Sequence, residues 1–163
     1  FDEEYANFRI ERSGEFNLKI RSEYERILLD IRDKTCTKRT YIYDQANRIN
    51  EFIYKKYSVS PDFPFKSSPY HGVYRNKDNK WFGILMDIPF NKIDKNKSGL
   101  IEVINVKINP NDKDNLLKIE GVYEAYHMNK KSWISIILDD TLSDDLISEL
   151  IDNNYKLVTK MVQ

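Results

Sequence analysis

Lys80-Trp81-Phe82-Gly83-Ile84-Leu85-Met86-Asp87-Ile88, residues 80–88, decides the fold. Phe82, Ile84, Met86 and Ile88 alternate with Trp81, Gly83, Leu85 and Asp87, the period of two of a strand with one face inward. The first set is expected to face the core. Just upstream, His71 to Arg75 has the same character, and Asn76-Lys77-Asp78-Asn79 between the two runs has the composition of a hairpin turn. Downstream, a polar loop from Asn91 to Gly99 leads to another strand, Leu100 to Ile108, with Ile104, Val106 and Ile108 on one face. Asn109-Pro110 suits the start of a short helix, Asn as cap and Pro in the first turn, and Gly121 ends it. Ser132 to Leu138 reads as the last strand, with Ile134, Ile136 and Leu138 inward.

Helical spacing frames these strands. Asp44 is a suitable N-cap for a helix running to about Tyr57, whose apolar side is Ala46, Ile49, Phe52 and Ile53. Pro61-Asp62-Phe63-Pro64-Phe65 then breaks regular structure and implies an extended, aromatic-bearing loop. At the other end Ser143 caps a helix carrying Leu146, Ile147, Leu150, Ile151, Tyr155 and Val158, and Asp144 and Asp145 suit its positive end. The order is helix, strands, short helix, strand, helix, which is the α+β pattern of an antiparallel sheet covered by helices. Before it, Asn7 to Arg12 reads as a short strand with a turn at Ser13-Gly14. Phe16, Ile20, Tyr24, Ile27, Leu28 and Ile31 then make a helical stripe. Residues 1–40 are therefore expected to be the end of an N-terminal extension or module, and residues 41–163 a single domain. The first residue is Phe rather than Met, so the chain is expected to begin inside a longer product.

Composition narrows the function classes. The 26 basic and 26 acidic residues cancel. Nine of each precede residue 41 and seventeen of each follow it. A dedicated nucleic-acid binder usually carries a basic excess, so any basic surface here must come from local segregation of charge. One cysteine, Cys36, excludes an internal disulfide and favours a reducing, cytoplasmic setting. No apolar run reaches the length of a membrane span, so no membrane partner is expected.

The densest group of chemically useful side chains is Tyr126-His127-Met128-Asn129-Lys130-Lys131-Ser132-Trp133. Asn129, Lys130 and Lys131 suit phosphate contacts, Trp133 suits base stacking, and His127 is a proton carrier near neutral pH. The same residues also read as structure: His127 and Asn129 holding a turn, the lysines solvated, and Trp133 covering the sheet. Arg75, Lys77 and Lys80 bracket the hairpin tip, either as a wing along a nucleic-acid backbone or as an ordinary polar turn with lysines guarding the sheet edge. Lys107, in an otherwise apolar strand, gains interest if it shares a face with Lys130. Asp139, Asp140, Asp144 and Asp145 lack the glycine and terminal Glu of a calcium loop, and helix capping accounts for the last two. Catalytic motifs are scarce. The two histidines, His71 and His127, have no metal-ligand spacing, and neither a phosphate-cradling glycine loop nor a nucleophile elbow is present. A catalytic role, a metal and a cofactor are not expected.

Val106-Lys107-Ile108-Asn109-Pro110, Tyr126 to Ile134, Leu138-Asp139 and the ending Ile151-Asp152-Asn153-Asn154-Tyr155-Lys156-Leu157-Val158 together resemble the MmcQ/YjbR family. The family signature is a Lys-x-x-Pro strand end, a His-Met-Asn-Lys turn into a Trp-bearing strand, and a terminal helix of this type. The resemblance spans residues 41–163, and residues 1–40 look like the end of the extra region found in longer members. It implies a CyaY-like, frataxin-like α+β fold in a double-wing arrangement, and the family label of a DNA-binding protein. Lys107, His127, Asn129, Lys130 and Trp133 match motif positions. Lys131 lies in the same turn, and Arg75 and Lys80 match a generally basic hairpin. Iron binding of the frataxin type is not carried over, because the helix at Asp44 to Tyr57 lacks an acidic ridge. Two functions from different classes follow. One is non-catalytic DNA binding through phosphates. The other is a protein-interaction or scaffolding module, favoured by the neutral charge and the many tyrosines.

Overall fold

The computed structural model describes residues 14–35 and 39–160. The chain divides into two units, Phe1–Arg39 and Thr40–Gln163. In the first, the stripe from Phe16 to Ile31 forms helix α1, Glu15–Thr35. Three short-range ion pairs, Arg21–Glu25, Arg26–Glu23 and Lys34–Asp30, link charged side chains along α1, as neighbours three and four apart on a helix do. The strand expected at Asn7 to Arg12 lies outside the described residues.

The second unit contains helix α2 (Asp44–Tyr57), strands β1 (Gly72–Arg75), β2 (Trp81–Pro89) and β3 (Leu100–Lys107), a short helix α3 (Lys113–Leu116), strands β4 (Val122–Glu124) and β5 (Trp133–Ile137), and helix α4 (Asp144–Lys160). The five strands form one antiparallel sheet in the order β1-β2-β3-β5-β4. The strand β4 has no counterpart in the sequence reading. Three residues are too few to show a period, and it follows directly on Gly121, whose φ of 88° provides the turn into it. The expected short helix begins as a 3₁₀ turn at Pro110–Asp112, with the Asn109 side chain accepting from Asn111 N, and stops at Leu116 rather than at Gly121.

α2 and α4 both pack on one face of the sheet. Ala46, Ile49 and Ile53 of α2 and Ile147, Leu150, Ile151 and Val158 of α4 meet Leu85, Ile104, Val106, Ile134 and Ile136 there. Each of these Ile, Leu and Val side chains, fully buried, contributes about 1.5–3 kcal/mol. Asp44 is the first residue of α2 and not its cap. The approach to the helix is fixed instead by Asn47, whose Oδ1 accepts from Thr40 N and Tyr41 N, and by buried Glu102, which accepts from Ile42 N and Tyr43 N at 2.9 and 2.7 Å. Ser143 caps α4 as expected, its Oγ accepting from Leu146 N at 3.3 Å.

The strand β2 also departs from its expected alternation. Phe82 does not share a face with Ile84, Met86 and Ile88. In the β1–β2 pairing Tyr74 lies opposite Gly83 but Arg75 lies opposite Trp81, so Phe82 is the extra residue of a β-bulge. The bulge turns Phe82 to the helix side, where its ring meets Tyr57 and Tyr155 at 5.7 and 5.0 Å. It also leaves Trp81 on the other face with Ile84, Met86 and Ile88. Among the described residues, none of α2, α3 and α4 contributes to the apolar cluster on that other face. It is bordered by the Phe65–His71 segment, by the 3₁₀ turn at Phe90–Lys92 and by the chain between β4 and β5.

Candidate functional site

Antiparallel pairing brings the ends of β1, β3 and β4 and the starts of β2 and β5 to one end of the sheet. Arg75, Lys80, Lys107, the 127–131 turn and Trp133 all belong to that end. Acidic side chains are interleaved with them. Arg75 Nε lies 3.2 Å from Asp62 Oδ2, and its guanidinium sits 5.2 Å over the Trp81 ring. Lys130 Nζ lies 3.6 Å from Glu124 Oε2, and Lys113 Nζ lies 2.5 Å from Oε1 of the same residue. The hydrogen bond from Lys113 holds the Glu124 carboxyl below its usual range. Lys80 and Lys131 are exposed, and Lys107 is half-buried opposite Trp133.

The 127–131 turn is held by its own residues. Asn129 Oδ1 accepts from Lys131 N at 2.9 Å, and Asn129 O accepts from Ser132 N at 3.1 Å. His127 is exposed, with φ of 54° and its ring 4.0 Å from that of Tyr126. Trp133 is 8% exposed and presents no free ring face for a base. The structural reading of Asn129 and Trp133 therefore fits better than the binding one.

Two residues that the sequence reading passed over position this turn. Asn105 and Ser135 face each other across β3 and β5 and are fully buried. Ser135 Oγ donates to Asn105 Oδ1 at 2.5 Å and accepts from Tyr126 N at 2.9 Å, while Asn105 Nδ2 donates to Tyr126 O at 2.8 Å. Both polar groups of the Tyr126 backbone are thus clamped onto the helix-free face of the sheet. Leaving either unmade would cost about 1–3 kcal/mol. The signal available in the sequence was a small polar residue inside each of two largely apolar strands.

The clamp creates a cleft of about 790 Å³. Its floor is Trp81, Ile84, Met86 and Ile88 of β2. One wall is the turn from Ser67 to His71 behind Phe65, and the other is Tyr126, His127 and Met128. Phe65 stands edge-on to Trp81, with centroids 6.0 Å apart and planes at 79°. Both histidines of the chain line this cleft, although 56 residues separate them. His71 Nε2 lies 3.2 Å from Asp87 O and 3.5 Å from Asp87 Oδ1. Asp87 pairs across the strands with Glu102. Burial raises the Glu102 carboxyl above its usual range and the Asp87 charge adds to the rise, against the two backbone hydrogen bonds that lower it. Among the described residues, no group of three or more His, Cys, Asp or Glu is placed to hold a metal ion. Among them, too, no helix is long and apolar enough to cross a membrane.

Comparison with known proteins places these features. Residues 54–157 match the family described as YjbR. The protein YyaQ of Bacillus subtilis (strain 168) is 34% identical over 110 residues, which is 67% of this chain and 93% of YyaQ. A crystal structure of a Pseudomonas syringae protein superimposes with a TM-score of 0.66 at 38% identity, covering 68% of this chain and 96% of that one. A solution NMR structure from Pseudomonas syringae gives a TM-score of 0.64 at 37% identity, over 69% of this chain and 91% of that one. The crystal structure of a Deinococcus radiodurans protein shares the fold, with a TM-score of 0.55 at 21% identity over 71% of this chain and 79% of its own.

Proposed function

From the chain's membership of the YjbR family, which it belongs to through residues 54–157, and from the place of the family's signature turn, we propose that the domain is a non-catalytic binding module. Its helix-free face receives a segment of another protein. The observation that carries this reading is that Tyr126-His127-Met128, from the turn on which the family resemblance rests, forms one wall of an apolar, aromatic cleft. Clefts lined mainly by apolar and aromatic side chains with a few polar groups are the usual form of a binding site. The rim favours a protein occupant. Tyr70 and Leu100 both line the cleft and are 69% and 56% exposed, and large apolar groups exposed together at a rim are characteristic of protein interfaces.

Selection of a displayed random-peptide library on the domain tests this. Peptides are expected to bind the parent chain and to lose binding to Leu100→Asp and Tyr70→Asp. Both substitutions are at exposed positions, so the fold is retained. Binding unaffected by either substitution would remove the reading.

A second reading is nucleic-acid binding through phosphates, favoured by the convergence of Arg75, Lys80, Lys107, Lys130 and Lys131 at one end of the sheet. The pairing of Arg75 with Asp62 and of Lys130 with Glu124 reduces the charge available to phosphates. Anisotropy titration of a short duplex at low and moderate salt separates the two readings. Phosphate binding gives a steep salt slope and is lost in the double variant Lys80→Glu, Lys131→Glu. No binding at low salt would eliminate it.

A further inference from the structure

The cleft follows an incomplete edge of the sheet. The strand β2 runs from Trp81 to Pro89, but β1 pairs only with its first part, Gly72 standing opposite Leu85. Past Leu85, among the described residues, no strand lies on that side, while β3 continues along the other as far as Pro89. Met86, Asp87, Ile88 and Pro89 line the cleft in succession. Their side chains alternate between the two faces of the sheet, so a cavity that touches all four runs along the edge of the strand. The direction of the backbone groups there follows from β3. Glu102 O accepts from Leu138 N at 2.9 Å, on the side of β3 away from β2. Asp87, directly opposite Glu102, is therefore in a non-hydrogen-bonded pair. Its amide and carbonyl point away from β3, and the carbonyl lies 3.2 Å from His71 Nε2. Pro89, two residues on, directs its carbonyl the same way and has no N–H to leave unpaired. The edge thus presents the Asp87 N–H, the Pro89 carbonyl and a second lone pair of the Asp87 carbonyl. Tyr70, which would continue the line of β1 opposite Asp87, is instead in a turn closed by the bond from His71 N to Ser68 O. A strand edge left open in this way is a template for an added strand.

We infer that the segment received by the cleft binds in extended form, as a short strand that continues the line of β1 along residues 86–89. Its main chain accepts from Asp87 N and donates to the carbonyls of Asp87 and Pro89. Its side chains opposite Met86 and Ile88 fall on the helix-free face, beside the apolar cluster to which those two residues belong, and are apolar. The inference rests on the binding-module reading and specifies the form of its occupant.

The edge is tested first without an occupant, by hydrogen exchange followed by NMR in the full chain. The Asp87 amide is expected to exchange faster than that of Leu85, which faces Gly72 of β1, and that of Ile88, which faces Ile101 of β3. Protection of Asp87 equal to theirs would mean a closed edge and would overturn the inference. Library-selected peptides are then N-methylated one residue at a time. Methylation is expected to weaken binding by at least about threefold, the equivalent of one main-chain hydrogen bond, at two positions two residues apart, and to be tolerated at the position between them. Bound peptide should slow exchange of the Asp87 amide by about tenfold or more and leave Ile88 unchanged. Tolerance of N-methylation at every position, in a peptide that still shifts the cleft residues, would overturn the extended form and leave the cleft as a binding surface. If no selected peptide shifts the cleft residues, the binding-module reading fails and the inference with it.

Discussion

The two faces of the sheet are built by different means. The helix-covered face is apolar contact: side chains at helical spacing on α2 and α4 pressed onto alternate residues of β2, β3 and β5. The opposite face has its own apolar cluster of Val73, Ile84, Met86, Ile88, Ile101, Val103 and Ile137. It is bordered by loops, and the loop nearest the cleft is fixed by hydrogen bonds from Asn105 and Ser135. Dispersion and burial tolerate only a closed surface, whereas a few directed hydrogen bonds hold a wall in place while leaving space beside it. The cleft is on the face held by the second means.

The largest effect that separates the faces is expected in the helix-side core. Ile49→Ala, at a fully buried position, should cost about 2–5 kcal/mol in denaturant unfolding. Leu100→Ala on the rim of the cleft should cost under about 0.5 kcal/mol, as an exposed change does. Equal losses would erase the distinction.

Next is the clamp. Asn105→Ala leaves the Tyr126 carbonyl and the Ser135 hydroxyl without this partner and should cost about 1–3 kcal/mol. Its more specific sign is faster hydrogen exchange at the Tyr126 amide, with the amides of α2 and α4 unchanged relative to global unfolding. Uniform loss of protection would mean that Asn105 belongs to the core and not to the loop.

The helix face carries one polar exception. Asn154 is fully buried on α4, and neither atom of its amide meets a hydrogen-bonding partner in the protein. Asn154→Leu is expected to raise stability by about 1 kcal/mol, because the desolvation cost of the amide disappears. A loss of stability would show that the amide is satisfied in solution.

The smallest effect concerns pH, and its sign differs between two carboxyls. The Arg48 hydrogen bond holds Asp144 below its usual range, despite some burial. Its contribution is present above the unfolded pKa and is lost as pH falls through the lowered folded value. Glu102 is raised by burial. Its contribution is full below the unfolded pKa and declines as pH rises through the raised value. Unfolding titrations should therefore show Arg48→Met removing part of the acid-side loss, and Glu102→Gln removing part of the decline above it. Opposite slopes would contradict the assignments.

Much of the helix face was legible because its spacing is local. Ala46, Ile49 and Ile53, like Ile147, Leu150 and Ile151, declare a stripe within one turn or two. The strands at 72–75, 81–89, 100–107 and 133–137 were legible from alternation and turn residues. Phe82 reaches the helix-covered core as expected, but Ile84, Met86 and Ile88, grouped with it, lie on the other face, because a bulge depends on the partner strand, which alternation within one strand does not register. β4 was too short to be seen. The site was less legible still. The 126–133 segment stood out, but for side chains that hold its turn, such as Asn129, or lie buried, such as Trp133. Asp87, Phe65 and Tyr70 come together with Tyr126 only after two loops are laid over one face, and no local spacing encodes that.

The most direct measurement is the N–H chemical-shift map of the domain with a library-selected peptide at saturation. The shifts are expected to concentrate at Trp81, Ile84, Met86, Leu100 and Tyr126 to Met128. Shifts concentrated on the outer surfaces of α2 and α4, or at Lys80 and Lys131, would contradict it.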